Sequence, residues 1–244
     1  MNITAEEKIM YEVMKAIYES GIPINFKGSM VLKACLMEAG YPDETRHTVD
    51  IDGNWNSDTP PSNDQMVESL QKAINKSGID LTVSNYRKYG EGRSAGFNLT
   101  DNATDEILFT MDIDVNRPIP PTKIYEIEGI RFCGVSPVQM IADKISVVST
   151  DKVFRRIKDV VDLYYLSTVF RFDHRAVQQA LNNSGRKLEN FNGFLHRTED
   201  LKHSYEKFRF AGGVNKPPFD KVYRTVKSYI KDVLPKGKNR DMER

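Results

Sequence analysis

Between Leu81 and Cys133 the apolar residues alternate in the two-residue rhythm of strands, and from Pro137 onward they recur only at three- and four-residue spacing. That change of period predicts an α+β protein, with a mixed β-sheet and flanking helices over 1–135 and an all-helical part over 136–244. Helices are expected at Glu6–Ser20, Asn63–Lys76, Gln139–Ser149, Lys158–Thr168, Asp173–Asn182, Glu199–Phe208 and Phe219–Leu234. Strands are expected at Leu81–Tyr89, Ser94–Leu99 and Ile107–Val115, with a hairpin of Lys123–Ile127 and Ile130–Cys133 around Gly129. The tail from Pro235 to Arg244 is polar and is not expected to join the core.

Chemistry concentrates near the N-terminus. The short apolar segment Ile22–Phe26 runs into Lys27-Gly28-Ser29, and Val31, Leu32, Cys35, Leu36 and Ala39 then carry a helical pattern. Glycine lets a ligand approach the backbone, and Ser29 is expected to cap a helix whose free N–H groups attract phosphate. About twenty residues on comes His47-Thr48-Val49-Asp50-Ile51-Asp52. In a strand, Asp50 and Asp52 project from one face while Val49 and Ile51 are expected to face the core. Paired hard oxygens suit Mg²⁺, whose coordination shell is usually completed by water and substrate phosphates. The combination points to metal-assisted phosphoryl chemistry. Asp112 and Asp114 share one face of a later strand, and either supplies the third carboxylate such chemistry calls for.

These residues, taken together with Ala142-Asp143-Lys144 and Arg155-Arg156-Ile157-Lys158-Asp159-Val160-Val161-Asp162-Leu163-Tyr164, resemble the AbiEii-type toxin nucleotidyltransferases of abortive-infection and type IV toxin–antitoxin systems, within the polymerase-β-like superfamily. The match runs over roughly residues 24 to 167, in motif order. Two features depart from it: Gly53 stands where that family carries a bulky apolar residue, and the gap from Gly28-Ser29 to Asp50 is longer than the superfamily's usual one. The resemblance implies Lys27, Gly28 and Ser29 as nucleotide-binding residues, and Asp50, Asp52 and Asp114, the last in preference to Asp112, as metal ligands. It also gives Lys144 a place on the nucleoside triphosphate and Asp159 a catalytic one. The implied cofactor is Mg²⁺ or Mn²⁺, the substrate an NTP, and the partner a cognate antitoxin protein. From spacing alone Lys144, flanked by Met140 and Val147, reads as a lysine that snorkels to solvent, and Asp159 and Asp162 as neighbours on a helix surface, one of them a candidate partner for Lys144 or Arg155.

Net charge is +1, yet residues 1–150 hold 14 basic against 22 acidic side chains while residues 151–244 hold 21 against 12. An acidic half bearing metal ligands and a basic half suggest where a polyanion lies. Arg155 and Arg156 at one helix start, and Arg224, Lys227 and Lys231 along the outward face of the last helix, are the expected nucleic-acid contacts, with tRNA or another RNA as acceptor. No apolar run reaches the ~18 residues of a membrane span, so the chain is expected to be cytoplasmic. Cys35 and Cys133 lack any paired spacing and read as buried reduced thiols, and the four histidines are too scattered for a metal cluster. Other classes compatible with the same carboxylates are a metal-dependent phosphodiesterase or nuclease and a catalytically idle nucleotide-binding module.

Overall fold

A computed structural model describes residues 3–41, 48–89, 94–115, 117–210 and 215–234. Arg46 and His47 of the first motif, the glycines at 90 and 92, and the tail from Pro235 lie outside the described residues. The described chain falls into two compact units, one within Met1–Gly40 and Thr48–Val135, the other comprising Tyr41 and the described part of Ser136–Arg244.

The first unit is a seven-stranded mixed sheet in the order β3-β4-β5-β2-β1-β7-β6. Its strands are β1 (Ile24–Lys27), β2 (Asp50–Trp55), β3 (Leu81–Arg87), β4 (Ser94–Asp101), β5 (Ile107–Asp114), β6 (Thr122–Ile127) and β7 (Ile130–Val135). β2 runs parallel to β5 and β1 parallel to β7, and the remaining pairs are antiparallel. Helices α1 (Ala5–Glu19), α2 (Gly28–Glu38) and α3 (Asn63–Lys76) pack on this sheet. α1 and α3 each open with a capping box, Thr4 with Glu7 and Ser62 with Gln65, which satisfies N–H groups that would otherwise be orphaned.

Phe26, Ile51, Phe97, Leu99, Met111, Ile113 and Phe132 are buried in the unit's core. Burying a side chain of this size is worth roughly 1.5–3 kcal/mol. Their strand neighbours Lys27, Asp50, Asp52, Asp112 and Asp114 point the other way, so alternation alone gathers the charged residues on one face. α2 is buried almost all round, and its Lys33 is charge-paired to Glu7 of α1 at 2.5 Å.

The second unit is helical: α4 (Pro137–Val148), a 3-10 turn (Val153–Arg156), α5 (Ile157–Val169), α6 (His174–Asn183), α7 (Asn192–His196), α8 (Thr198–Lys207) and α9 (Phe219–Val233). α5 is its centre, with Val160, Val161, Leu163, Tyr164, Tyr165 and Leu166 all buried. A helix apolar on every side must sit inside others, and α5 packs against α4, α8 and α9. α7 has no counterpart among the expected helices. It is five residues long, too short for periodicity to reveal, and starts from Phe191 in the left-handed region at φ 60°. Among the described residues no helix is long and apolar enough to cross a membrane.

Candidate active site

Lys27 closes β1 and Gly28 opens α2, so strand turns into helix with no intervening loop. Gly28 has φ +74°, a conformation L side chains rarely adopt, and a Cβ there would run into the Asp52 carboxylate. Glycine therefore meets two demands at once, a left-handed backbone and close approach to the second aspartate. The helix cap differs from expectation. Lys27 is the N-cap and makes no side-chain cap bond, whereas Ser29 lies inside the first turn. The Ser29 hydroxyl instead hydrogen-bonds that of Thr48, which also donates to Asp50 Oδ1 at 3.1 Å. Both hydroxyl residues are buried, so Thr48 ties the glycine-serine turn to the first aspartate. Thr48 carried no sequence signal beyond its place before the aspartate pair.

Asp50 and Asp52 begin β2. Ile51 between them is fully buried as expected, but Val49 is 63% exposed, because β2 starts only at Asp50 and strand alternation does not extend back to Val49. Parallel register sets Asp52 beside Asp112 and Asn54 beside Asp114, and antiparallel register sets Lys27 beside Asp52. Lys27 reaches across β2, donating to Asn54 Oδ1 at 2.8 Å and to Asp114 Oδ2 at 2.6 Å, with Arg117 Nε a further 3.8 Å from that carboxylate. Asp112 accepts on one oxygen from both the Tyr86 hydroxyl and Arg87 Nη2, each at 2.7 Å. Gly53 is explained by packing: a Cβ there would lie 2.8 Å from Ile24 Cγ2 and 3.0 Å from Ile113 Cδ1. Those isoleucines fill the room a bulky residue would need, so the departure leaves no void beside Asp52.

Among the described residues no three carboxylate, imidazole or thiol side chains gather into a ready-made metal cage. The donor set fits a Mg²⁺ ion nonetheless, because that ion needs only one or two protein carboxylates when phosphates complete its shell. Asp50 and Asp52 are the residues that would hold it.

In the second unit, Lys144 of α4 donates to Asp159 Oδ1 at 2.7 Å and to Asp162 Oδ2 at 2.8 Å, and Arg156 Nε reaches the other Asp159 oxygen at 2.7 Å. The surface placement expected for the two aspartates is wrong. Both are buried, because α5 is covered on all sides and its carboxylates must find cations inside. Lys144 does not snorkel, since its side chain is only 17% exposed and spans two carboxylates. Burial acts to lower the Lys144 pKa, but Asp162 and Asp159 outweigh it and push the ammonium up to about 12. Burial acts to raise Asp159, yet Lys144 and Arg156 hold it below the usual carboxylate range.

Of the expected nucleic-acid contacts, Arg156 is committed to Asp159, and Arg155 lies 5.8 Å from the Phe154 ring. On α9, Arg224 is exposed while Lys227 and Lys231 are half-buried, and Tyr229, unexpected in the core, is buried beside Ile230. Cys35 is buried and Cys133 half-buried, and both are free thiols.

A mixed seven-stranded sheet flanked by helices, followed by a helical part, is the fold of nucleotidyltransferase toxins. The sequence profile of the nucleotidyl transferase AbiEii toxin family, type IV toxin–antitoxin system, matches residues 13–224. The chain belongs to that family, and it is a nucleotidyltransferase. Among solved structures it is similar to MenT4, a nucleotidyltransferase toxin from Mycobacterium tuberculosis, with a TM-score of 0.61 over 97% of this chain and 86% of that one. At 14% identity that likeness is one of fold. No curated protein matches the sequence.

Two outcomes follow from the geometry. Gly28→Ala forces a Cβ onto Asp52 in a left-handed backbone, and should cost about 1–3 kcal/mol in denaturant unfolding and impair nucleotide transfer. Lys144→Met removes the cation that two buried carboxylates share, leaving Arg156 on Asp159, and should cost about 3–5 kcal/mol, with Lys144→Arg much milder. Asp159 has a lowered pKa, so its contribution is present above the ordinary carboxylate value of 3.8 and lost as pH falls through the folded value. Lys144 has a raised one, so its share is present below 10.5 and lost as pH climbs through about 12. The gap in unfolding midpoint between wild type and Lys144→Met should therefore be wide at neutral pH and narrow below about pH 4, where protonation relieves the mutant.

Proposed function

We propose that the carboxylate face of the first unit binds an NTP with Mg²⁺ and transfers its nucleoside monophosphate to the hydroxyl of an RNA acceptor, with tRNA favoured. The observation that carries this reading is the contact between the Gly28 turn and Asp52, which brings the α2 N-terminus and the paired aspartates to one spot. Backbone N–H groups at Gly28 and Ser29 hold the terminal phosphates, aided by the dipole of α2. The Ser29 hydroxyl is occupied by Thr48, so the serine contributes its backbone there. When bound, the divalent ion supplies positive charge against the triphosphate oxygens. Asp114 orients the acceptor hydroxyl and takes its proton as the oxygen bonds to the α-phosphorus and pyrophosphate departs. Lys27, held at Asp114 in the free protein, is the cation placed to meet the phosphates.

Asp114 is preferred to Asp112 as third carboxylate, although Asp112 is the one beside Asp52 in register. Asp112 is clamped by a guanidinium and a phenol, whereas Asp114 is held chiefly by one lysine on a flexible stem. Lys144 and Asp159 keep the role in transfer that the family resemblance gives them. A Lys144→Arg variant that keeps its stability but loses turnover separates that role from a purely structural one. An RNA acceptor is supported by the charge of residues 151–244, 21 basic against 12 acidic. Arg155, Arg156, Arg224, Lys227 and Lys231 are its proposed contacts, a cognate antitoxin is the proposed protein partner, and the cytoplasm is the proposed site of action.

Asp50→Ala and Asp52→Ala should abolish transfer from labelled NTP while the fold persists by circular dichroism. Asp114→Asn should lose turnover and keep NTP binding, while Asp112→Asn loses less than about tenfold in turnover, roughly 1.4 kcal/mol. The reverse order would reassign the third carboxylate to Asp112. Replacing Arg224, Lys227 and Lys231 together by Gln should raise the acceptor KM and lower the log-log salt slope by roughly two to three units. An unchanged slope would make α9 an ordinary solvated face and favour a protein acceptor.

A further inference from the structure

Tyr86 and Arg87 are consecutive residues, yet both side chains reach the same oxygen of Asp112. Regular alternation would send them to opposite faces of β3. A bulge prevents this: Asn85 pairs with Phe97 and Arg87 with Gly96, leaving Tyr86 as the extra residue. Bulges beside sites characteristically re-aim side chains in this way. Arg87 is fixed further by Ser94, through the carbonyl at 3.3 Å and the hydroxyl at 3.2 Å. The Tyr86 phenol lies across the backbone of Gly96, where any Cβ would collide with it.

What remains is a ring backed by β4, tied at its hydroxyl, with the Arg87 guanidinium 5.5 Å from its centroid. Tyr86 is 46% exposed, and among the described residues it is the only aromatic side chain so open to solvent. It belongs to the same sheet face as Asp50 and Asp52. β4 is two strands from β2, about 10 Å, a distance a nucleotide spans from its phosphates to its base. Burial and the hydrogen bond to Asp112 both raise the Tyr86 pKa, so the hydroxyl stays a donor. A flat ring with a guanidinium at its side suits the π-face of any base.

We propose that Tyr86, flanked by Arg87, is a stacking platform for a nucleobase, and that Asp112 is the positioning residue that holds it. This rests on the nucleotide reading of the carboxylate face given above. The test compares wild type with Tyr86→Ala, Tyr86→Phe and Asp112→Ala, each first checked for folding by circular dichroism. Calorimetric titration with the four NTPs and with inorganic triphosphate, all with Mg²⁺, is paired with KM and kcat for total tRNA. If the base is that of the NTP, Tyr86→Ala weakens NTP binding at least about fivefold and leaves inorganic triphosphate unchanged. Tyr86→Phe and Asp112→Ala both remove the tie at the hydroxyl, so each should weaken NTP binding by less than Tyr86→Ala does and leave inorganic triphosphate unchanged. If the base belongs to the acceptor, NTP affinity holds while the tRNA KM rises at constant kcat. The platform is overturned if folded Tyr86→Ala changes neither quantity, or weakens NTP and inorganic triphosphate equally. A wild-type protein that binds no NTP places the failure in the nucleotide reading, and the platform falls with it.

Discussion

Four carboxylates on one face of two adjacent parallel strands set the terms for the first unit. Asp50, Asp52, Asp112 and Asp114 sit in register on β2 and β5, strands that lie about 5 Å apart. Two like charges at that separation repel by roughly 3 kcal/mol at an effective dielectric of 20. The surrounding residues answer that repulsion. Lys27 and Arg117 attend Asp114, Arg87 and Tyr86 attend Asp112, and Thr48 attends Asp50. The Gly28 turn also brings the positive end of α2 against Asp52. Each of these carboxylates thus faces at least one hydrogen-bond donor or positive end rather than only its like-charged neighbours.

The second unit meets the same electrostatic problem under opposite conditions. Asp159 and Asp162 lie inside a helix packed on all sides, and a carboxylate without a partner there is far more costly than on an open sheet face. Lys144 bridges both, and Arg156 closes the remaining oxygen of Asp159. Pairs on the sheet face are a quarter to nearly half exposed, whereas the carboxylates held by Lys144 are almost fully buried. Stability should consequently respond more steeply to loss of a charge partner around α5 than on the sheet face, even where the residue types are the same.

The sequence made the elements legible wherever a period persisted for two turns or four strand residues. α3 runs over Asn63–Lys76 as its pattern implied, and the parity that places Asp50 with Asp52 and Asp112 with Asp114 follows from alternation alone. What was not legible depended on partners far along the chain or on breaks in regularity. Nothing near Ser29 announces that Thr48 will take its hydroxyl. Val49 misled because alternation was extended one residue past the strand's start. α7 is too short to carry a period, and the register of β2 against β5, which sets Asp112 beside Asp52, is a pairing property absent from either strand alone.

The bulge in β3 shows how such a break re-aims side chains in a way local patterns hide. A strict strand at this position would bury one of Tyr86 and Arg87 or turn it away, and Asp112 would keep a single partner. One inserted residue turns both side chains to the charged face, and a glycine on the neighbouring strand leaves room for the ring. Gly28 does the same for Asp52 on the other side of β2 and β5. At both edges of the carboxylate cluster, then, a missing Cβ lets a neighbouring group approach more closely than any other residue would allow. These two absences bring the helix end and the aromatic ring up to the acidic face, so the site's dimensions are set as much by its glycines as by its aspartates.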